Sequence, residues 1–262
     1  MKYNRFFDLK RKIAVVTGGA GLIGKAVVEG LAEFGATVIL ADIDTNKGAL
    51  AAQALSGKGL KVIFRYLDIS NENSVCGLVD FVHKKHKKID IWVNSAYPRT
   101  KDWGNKFEDI SLASWRKNID LHLVGYFLCS QKAAEYMKRQ KRGSIINLAS
   151  IYGMAAPDFS FYKNTDMTTP AAYAVIKAGI INFTKYLASY YGKYKIRVNC
   201  VSPGGVFARQ PEVFVKRYTH KTALKRMCLP QDVTGAVIYL ASEASAYVTG
   251  QNLIVDGGWS IQ

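Results

Sequence analysis

Short runs of β-branched and aliphatic residues recur along the chain, each followed by a stretch whose apolar positions fall at helical spacing. Residues 12–17, 37–41, 61–66, 89–94, 144–149 and 197–202 read as strands, and 253–255 supplies a seventh. After the first run, Ile23, Val27, Leu31 and Phe34 mark one face of a helix. A single long amphipathic helix is expected over roughly residues 112–138, and another helix carries Tyr173 and Lys177. Strands alternating with helices of this length predict an α/β fold with a doubly wound, mostly parallel sheet flanked by helices. Nothing in the 262 residues reads as a linker, repeat or low-complexity tract, so one domain over 1–262 is expected.

Charge adds a question to this picture. There are 36 Lys+Arg against 20 Asp+Glu, a net +16, which suits nucleic acid, an acidic membrane or an anionic small substrate. A lysine-rich solvated surface would look the same. The first ten residues are too charged for the apolar core of a signal peptide, and no apolar run approaches the roughly 18 residues of a membrane span. A cytoplasmic protein without a membrane partner is expected. Cys76, Cys129, Cys200 and Cys228 are scattered and lack histidines at ligand spacing, so buried thiols are expected and no metal site.

The candidate chemistry collects at strand ends. The first strand runs into Gly18-Gly19-Ala20-Gly21-Leu22-Ile23-Gly24 and then a helix, the context in which glycines let a backbone approach a pyrophosphate. Asp42 ends the second strand about 20 residues on, where a carboxylate can accept from an adenosine ribose and repel a 2′-phosphate. With Ile43-Asp44 following and no arginine, NAD is favoured over NADP. Asp68 and Asn94 end the next two strands, so these positions converge on one crevice. Tyr173 and Lys177, four apart on a helix, pair a phenol with an ammonium, a neighbour that favours the phenolate. The same spacing occurs at Tyr97–Lys101 and Tyr191–Lys195, so spacing alone does not choose among the three.

Taken together, Thr17-Gly18 to Gly24, Asp42, Asp68, Asn94-Ser95-Ala96, Ser150, Tyr173 with Lys177, Asn199 to Pro203-Gly204 and Asp256-Gly257-Gly258 resemble the short-chain dehydrogenase/reductase superfamily over nearly the whole chain. The resemblance implies a Rossmann fold and hydride exchange with a nicotinamide. It implies Tyr173 as acid/base, Lys177 lowering its pKa and holding the nicotinamide ribose, and Ser150 polarising the substrate oxygen. The implied cofactor set is Gly18, Gly21, Leu22, Ile23, Gly24, Asp42, Ile43, Asp68, Ile69, Asn94, Ser95, Ala96, Tyr173, Lys177, Pro203, Gly204 and Val206. Neither other Tyr–Lys pair follows a serine-bearing strand, so both are set aside. Such enzymes are usually oligomers, so a homotetramer or homodimer is expected.

Three departures shape the substrate reading. Leu22 stands where the usual pattern has glycine. His122 stands where the family often has an asparagine; a neutral imidazole there can relay a proton or simply pack, and Asn118, one turn earlier, is the other candidate. An insert at about 153–169 separates Ser150 from Tyr173 and is expected to wall the substrate site, or else to make a subunit contact. With the Asn94–Pro98 segment and the glycine variant, it resembles flagellin-modification dehydrogenases of bacterial nonulosonic-sugar pathways. The segment 204–229 corresponds to a substrate flap and is basic. With Arg99, Lys101 and Lys163 it predicts nine cations at one mouth and an anionic sugar, a sugar phosphate or nucleotide sugar. Tyr97, Arg99, Lys163 and Arg209 are the expected substrate contacts. A general alcohol, polyol or 3-oxoacyl reductase is the alternative within the same chemistry. A non-catalytic dinucleotide sensor and a nucleic-acid-binding protein are the alternatives outside it; no basic helix or stacking platform in the sequence favours the last.

Overall fold

The computed structural model describes residues 3–262. Among these lie seven strands, β1 (Ile13–Thr17), β2 (Thr37–Asp42), β3 (Val62–Tyr66), β4 (Ile91–Asn94), β5 (Gly143–Leu148), β6 (Ile196–Pro203) and β7 (Asn252–Val255). The helices are α1 (Leu22–Glu33), α2 (Thr45–Gly57), α3 (Glu72–His86), α4 (Leu112–Ile119), α5 (Gly125–Gln140), α6 (Ala171–Tyr191), α7 (Glu212–Lys221) and α8 (Pro230–Ala241). The strands pair in the order β3-β2-β1-β4-β5-β6-β7, every pair parallel, as the alternation of strand and helix requires.

Both faces of the sheet are covered. Along β1, Ile13 and Val15 enter the core with α3, α5 and α6, while Ala14 and Val16 enter the core with α1, α2 and α8. Strands buried on both sides must be apolar at nearly every position, which is why they stand out in the sequence. Successive strands run outward from β1 in one direction and then from β4 in the other. The reversal opens a crevice beyond the carboxyl ends of β1 and β4.

The expected helix 112–138 differs in one respect. A π-helical turn, Asp120–Val124, separates α4 from α5. The extra residue in such a turn re-aims the side chains on it, and here it carries His122 into the interior.

A third apolar cluster lies outside the two sheet cores. Ile151, Phe161, Phe214, Tyr218, Met227 and Trp259 join the insert, α7 and the C-terminal turn. Arg217 donates to the backbone carbonyls of Phe161 and Lys163, tying α7 to the insert. The insert and the flap therefore form one roof. Phe161 is its pin, 5% exposed and packed against Tyr218 and Trp259. Phe161→Ala is expected to cost about 3 kcal/mol and to open the insert to limited proteolysis before global unfolding. An unchanged digestion rate would show that the roof is held elsewhere.

No helix among the described residues is long and apolar enough to cross a membrane, and the four cysteines are free thiols.

Candidate active site

The crevice at the β1/β4 reversal is a cleft of about 860 Å³. Its outer end is built on the glycine turn. Gly18 has φ +65°, and a Cβ there would stand 2.5 Å from the Ala96 Cα, so only glycine lets the ends of β1 and β4 approach. Thr17 Oγ1 accepts from the backbone N–H groups of Ser95 and Ala96 at 3.1 and 3.3 Å, fixing that approach. Helix α1 begins after Gly21 with no side-chain cap, leaving its first N–H groups free to meet an anion. Leu22, in the place of the usual glycine, is half exposed and lines the cleft with Ile23 and Gly24.

Asp42 organises the neighbouring wall. Its two oxygens accept from the N–H groups of Ala20 (2.9 Å) and Asp44 (3.0 Å), which joins the glycine turn to the start of α2. Asp68 accepts from Ser70 N–H and Oγ at 2.9 and 2.7 Å and lines the cleft with Ile43 and Ile69. Asn94 is different. Its side chain is fully buried, donating to Ser130 Oγ (2.9 Å) and Asn147 Oδ1 (2.8 Å) and accepting from Trp92 Nε1 (2.8 Å). It holds β4 in place from within, and Ser95 and Ala96 form the wall instead.

Tyr173, Lys177 and Ser150 meet at the inner end, with Pro203, Gly204 and Val206 opposite. Lys177 is 4% exposed; its ammonium donates to the Leu148 carbonyl at 2.6 Å and lies 3.4 Å from His122 Nε2. Burial pulls its pKa down to about 7. Burial also pushes the Tyr173 phenol well above its usual value, opposed by the nearby Ser150 hydroxyl. Desolvation is thus the larger effect on the phenol, and the Lys177 ammonium lies on its ring face at 5.6 Å from the centroid.

His122 is fully buried, and burial followed by the Lys177 charge holds it well below the ordinary imidazole value. Its Nδ1 has no partner. Asn118 is occupied elsewhere: it brackets Thr100, accepting from its N–H (3.1 Å) and donating to its hydroxyl (2.8 Å). Asn118 therefore anchors the loop that carries Tyr97, and His122 is the one of the two that reaches Lys177.

The remaining walls are aromatic. Tyr97 packs edge-on against Tyr173 with centroids 5.6 Å apart and accepts from Trp103 Nε1 at 2.7 Å. Tyr152, Tyr162, Met167, Phe214, Tyr218 and Met227 complete the lining. Tyr152 and Tyr162 bond through their hydroxyls at 3.3 Å, and Tyr162 bonds Thr169 in turn. Sequence reasoning missed these rings as individuals. The insert was expected as a wall, but an irregular loop has no period from which to read which side chains face inward.

The charge expectation needs correction. Of the nine cations placed at the mouth, Arg99 alone lines the cleft; Lys163 and Arg209 do not. Four of the six flap cations have a nearer attraction. Arg226 forms a two-point bridge to Asp232, Arg217 caps carbonyls, Lys221 lies 4.1 Å over the Trp259 ring, and Lys225 donates to the His220 carbonyl. Neither other Tyr–Lys pair is assembled in the cleft, although Tyr97 by itself lines the wall. Tyr191 is buried, bonding Glu135 at 3.4 Å, and neither Lys101 nor Lys195 lines the cleft.

Residues 18–260 match the family described as enoyl-(acyl carrier protein) reductase. The post-translational flagellin modification protein A of Campylobacter coli is 38% identical over 97% of this chain and all of its own. The chain belongs to the short-chain dehydrogenase/reductase family. Solved structures of other members agree. A short-chain dehydrogenase from Leptospira borgpetersenii with bound NAD+ superposes with a TM-score of 0.84 at 35% identity, over 99% of this chain and 96% of that one. A gluconate 5-dehydrogenase from Burkholderia cenocepacia in complex with NADP and tartrate gives 0.89 at 26% identity over the whole of both chains. The family uses nicotinamide dinucleotides, and both kinds occur among these neighbours.

Proposed function

We propose that this family member is a cytoplasmic, NAD-dependent oxidoreductase that interconverts a secondary hydroxyl and a ketone on a sugar-like substrate bearing an acidic group, in a bacterial glycan or flagellin-modification pathway. The observation that carries the reading is the gathering of Tyr173, Ser150 and Lys177 at the inner end of a cleft whose outer end is Asp42 and the uncapped start of α1. Likeness to the Campylobacter protein supports the pathway.

The lining fits a dinucleotide. The free N–H groups of α1 suit a pyrophosphate, Asp42 a ribose, Asp68 and Ile69 the adenine side, and Ser95, Ala96, Lys177 and the 203–206 segment the nicotinamide half. Asp42 supports NAD, since its carboxylate would repel a 2′-phosphate. A bound nicotinamide supplies the hydride acceptor or donor. In reduction the Tyr173 phenol gives its proton to the substrate oxygen. In oxidation it takes one, which the Ser150 hydroxyl and a protonated Lys177 favour by stabilising the phenolate. Exposed Phe127, Tyr186 and Tyr190 on α5 and α6 support association into a homo-oligomer.

The substrate class rests on the walls. Aromatic faces edged by the hydroxyls of Tyr152 and Tyr162 suit a ring with both C–H and hydroxyl surface, and Arg99 suits a carboxylate or phosphate. Met167, Phe214 and Met227 favour a second reading, a neutral alcohol or 3-oxoacyl substrate. Turnover with NAD and NADP across sugar acids, sugar phosphates, neutral polyols and a 3-oxoacyl thioester separates them. The expected result is at least about tenfold higher kcat/KM for the charged sugars with NAD, lost in Arg99→Ala, an ion pair being worth about 1.4 kcal/mol or more in such a cleft. Equal kcat/KM for charged and neutral sugars would end the acidic-substrate reading.

A further inference from the structure

The net charge of +16 is not accounted for by the cleft, where Arg99 is the one mouth cation that lines the wall. Much of it lies at the opposite end of the sheet. Every strand there is preceded by a residue in the left-handed conformation. Before the outer strands β2, β3 and β7 that residue is glycine: Gly35, Gly59 and Gly250, at φ +100°, +81° and +73°. Before the four adjacent central strands β1, β4, β5 and β6 it is a cation: Arg11, Lys87, Lys141 and Lys195, at φ +64°, +61°, +52° and +59°.

Glycine, or failing that asparagine, is the residue this conformation favours, and another side chain costs about 1 kcal/mol each time. Four cations at such corners, in neighbouring strands, are therefore not explained by backbone preference. At strand spacing the row spans about 14 Å. All four side chains are exposed, and none makes an ion pair among the described residues. Helix dipoles account for half the row at most: Lys87 and Lys141 cap the C-termini of α3 and α5, whereas Arg11 follows no α-helix. Basic residues occupy the last turns of α3 and α5, but none occupies those of α1, α2 or α8, whose ends carry the same partial charge.

A crevice of about 1010 Å³ lies on this edge. Lys141 and Lys195 line it with Lys12, Arg142 and Arg197, against Asp90 and Glu243. Lys12 pairs with Glu243, and Lys88 and Arg142 with Asp90, so the two acids are already neutralised. Arg197 is held in the wall by neutral acceptors alone, the Leu240 and Ser242 carbonyls and Ser245 Oγ, and so leaves an uncompensated charge. Tyr247, fully exposed, stands in the same lining.

We propose that this edge binds single-stranded nucleic acid, its phosphates along the row from Arg11 to Lys195 and a base against Tyr247. A basic groove that follows a backbone, with an aromatic face for stacking, is the arrangement such binding uses. A flat anionic bilayer would meet the exposed row but not Arg197, which is partly recessed in the crevice wall. The stacking platform absent from the sequence reading is supplied by the fold, which brings Tyr247 beside cations distant in the chain.

The test is fluorescence anisotropy of labelled oligothymidylate and oligouridylate over a salt series, with the full chain. The variant Arg11→Asn/Lys87→Asn/Lys141→Asn/Lys195→Asn removes four charges while keeping a residue that tolerates the left-handed conformation. Its melting temperature and dehydrogenase turnover should match those of the parent. Its affinity should fall at least about tenfold at low salt, and its log–log salt slope should shrink by about 3, at roughly 0.7 per phosphate contact. Tyr247→Ser should weaken binding with the slope unchanged. An unaltered slope in the quadruple variant, no effect of Tyr247→Ser, or binding to anionic phospholipid vesicles without binding to either oligonucleotide would overturn the proposal.

Discussion

Tyr173→Phe is expected to lower kcat/KM for hydride transfer by about a thousandfold, within the usual range for loss of a positioned general acid. The substitution removes one oxygen and little else. The ring still meets Tyr97 and Trp103, whose centroids lie 5.6 and 6.3 Å away, so the wall keeps its shape. Ser150 keeps its bond from the Tyr152 N–H and can still polarise a substrate oxygen. Dinucleotide binding, followed by quenching of protein fluorescence, should change less than about threefold, a difference of about 0.7 kcal/mol. Turnover close to that of the parent would defeat the enzyme reading and favour a dinucleotide sensor. Loss of both turnover and binding would instead indicate a damaged cleft.

Lys177→Met should show a comparable loss of activity together with a change in pH dependence that has a definite sign. The buried ammonium titrates at about 7, below its ordinary value of 10.5. Between these values the unfolded chain holds a proton that the folded chain has released. Stability conferred through this group is therefore least below pH 7 and rises as pH increases toward 10.5, by up to about 1.4 kcal/mol per pH unit. Methionine fills similar space without titrating. The variant should consequently be more stable than the parent at pH 6, with the advantage shrinking steadily at pH 8 and 9. Denaturant midpoints at the three values measure this directly. An advantage that is constant with pH would show that Lys177 keeps its proton through strong pairing. His122, 3.4 Å away and neutral, and the Leu148 carbonyl at 2.6 Å are the groups that could provide it.

The two effects meet in the reaction. A phenol raised by burial stays protonated but is a weaker acid, so proton donation in reduction and proton uptake in oxidation are both tuned by the charge at Lys177. A lysine poised near neutrality makes that charge sensitive to whatever occupies the cleft. The π-turn that brings His122 beside it adds a second buried base with a free nitrogen.

A doubly wound, mostly parallel sheet of seven strands and the place of the cleft were legible in the amino-acid pattern. Strands covered on both faces must be apolar throughout, and the glycine turn and Asp42 are short-range features bound to the end of a strand. Tyr173 and Lys177 were legible as a pair because four residues make one helical turn. Tertiary structure alone decided which side chains face the substrate. The flap cations look like a rim in one dimension, yet none lines the cleft, and Arg217, Lys221, Lys225 and Arg226 each find a carboxylate, a carbonyl or an aromatic face instead. Asn118 and His122 were indistinguishable until a π-turn rotated one toward Lys177 and left the other on Thr100. The Asn94 side chain turned inward because buried Trp92, Ser130 and Asn147 offered it partners that the cleft did not. Long-range contacts of this kind depend on which surfaces the fold brings together, and sequence spacing carries no record of them.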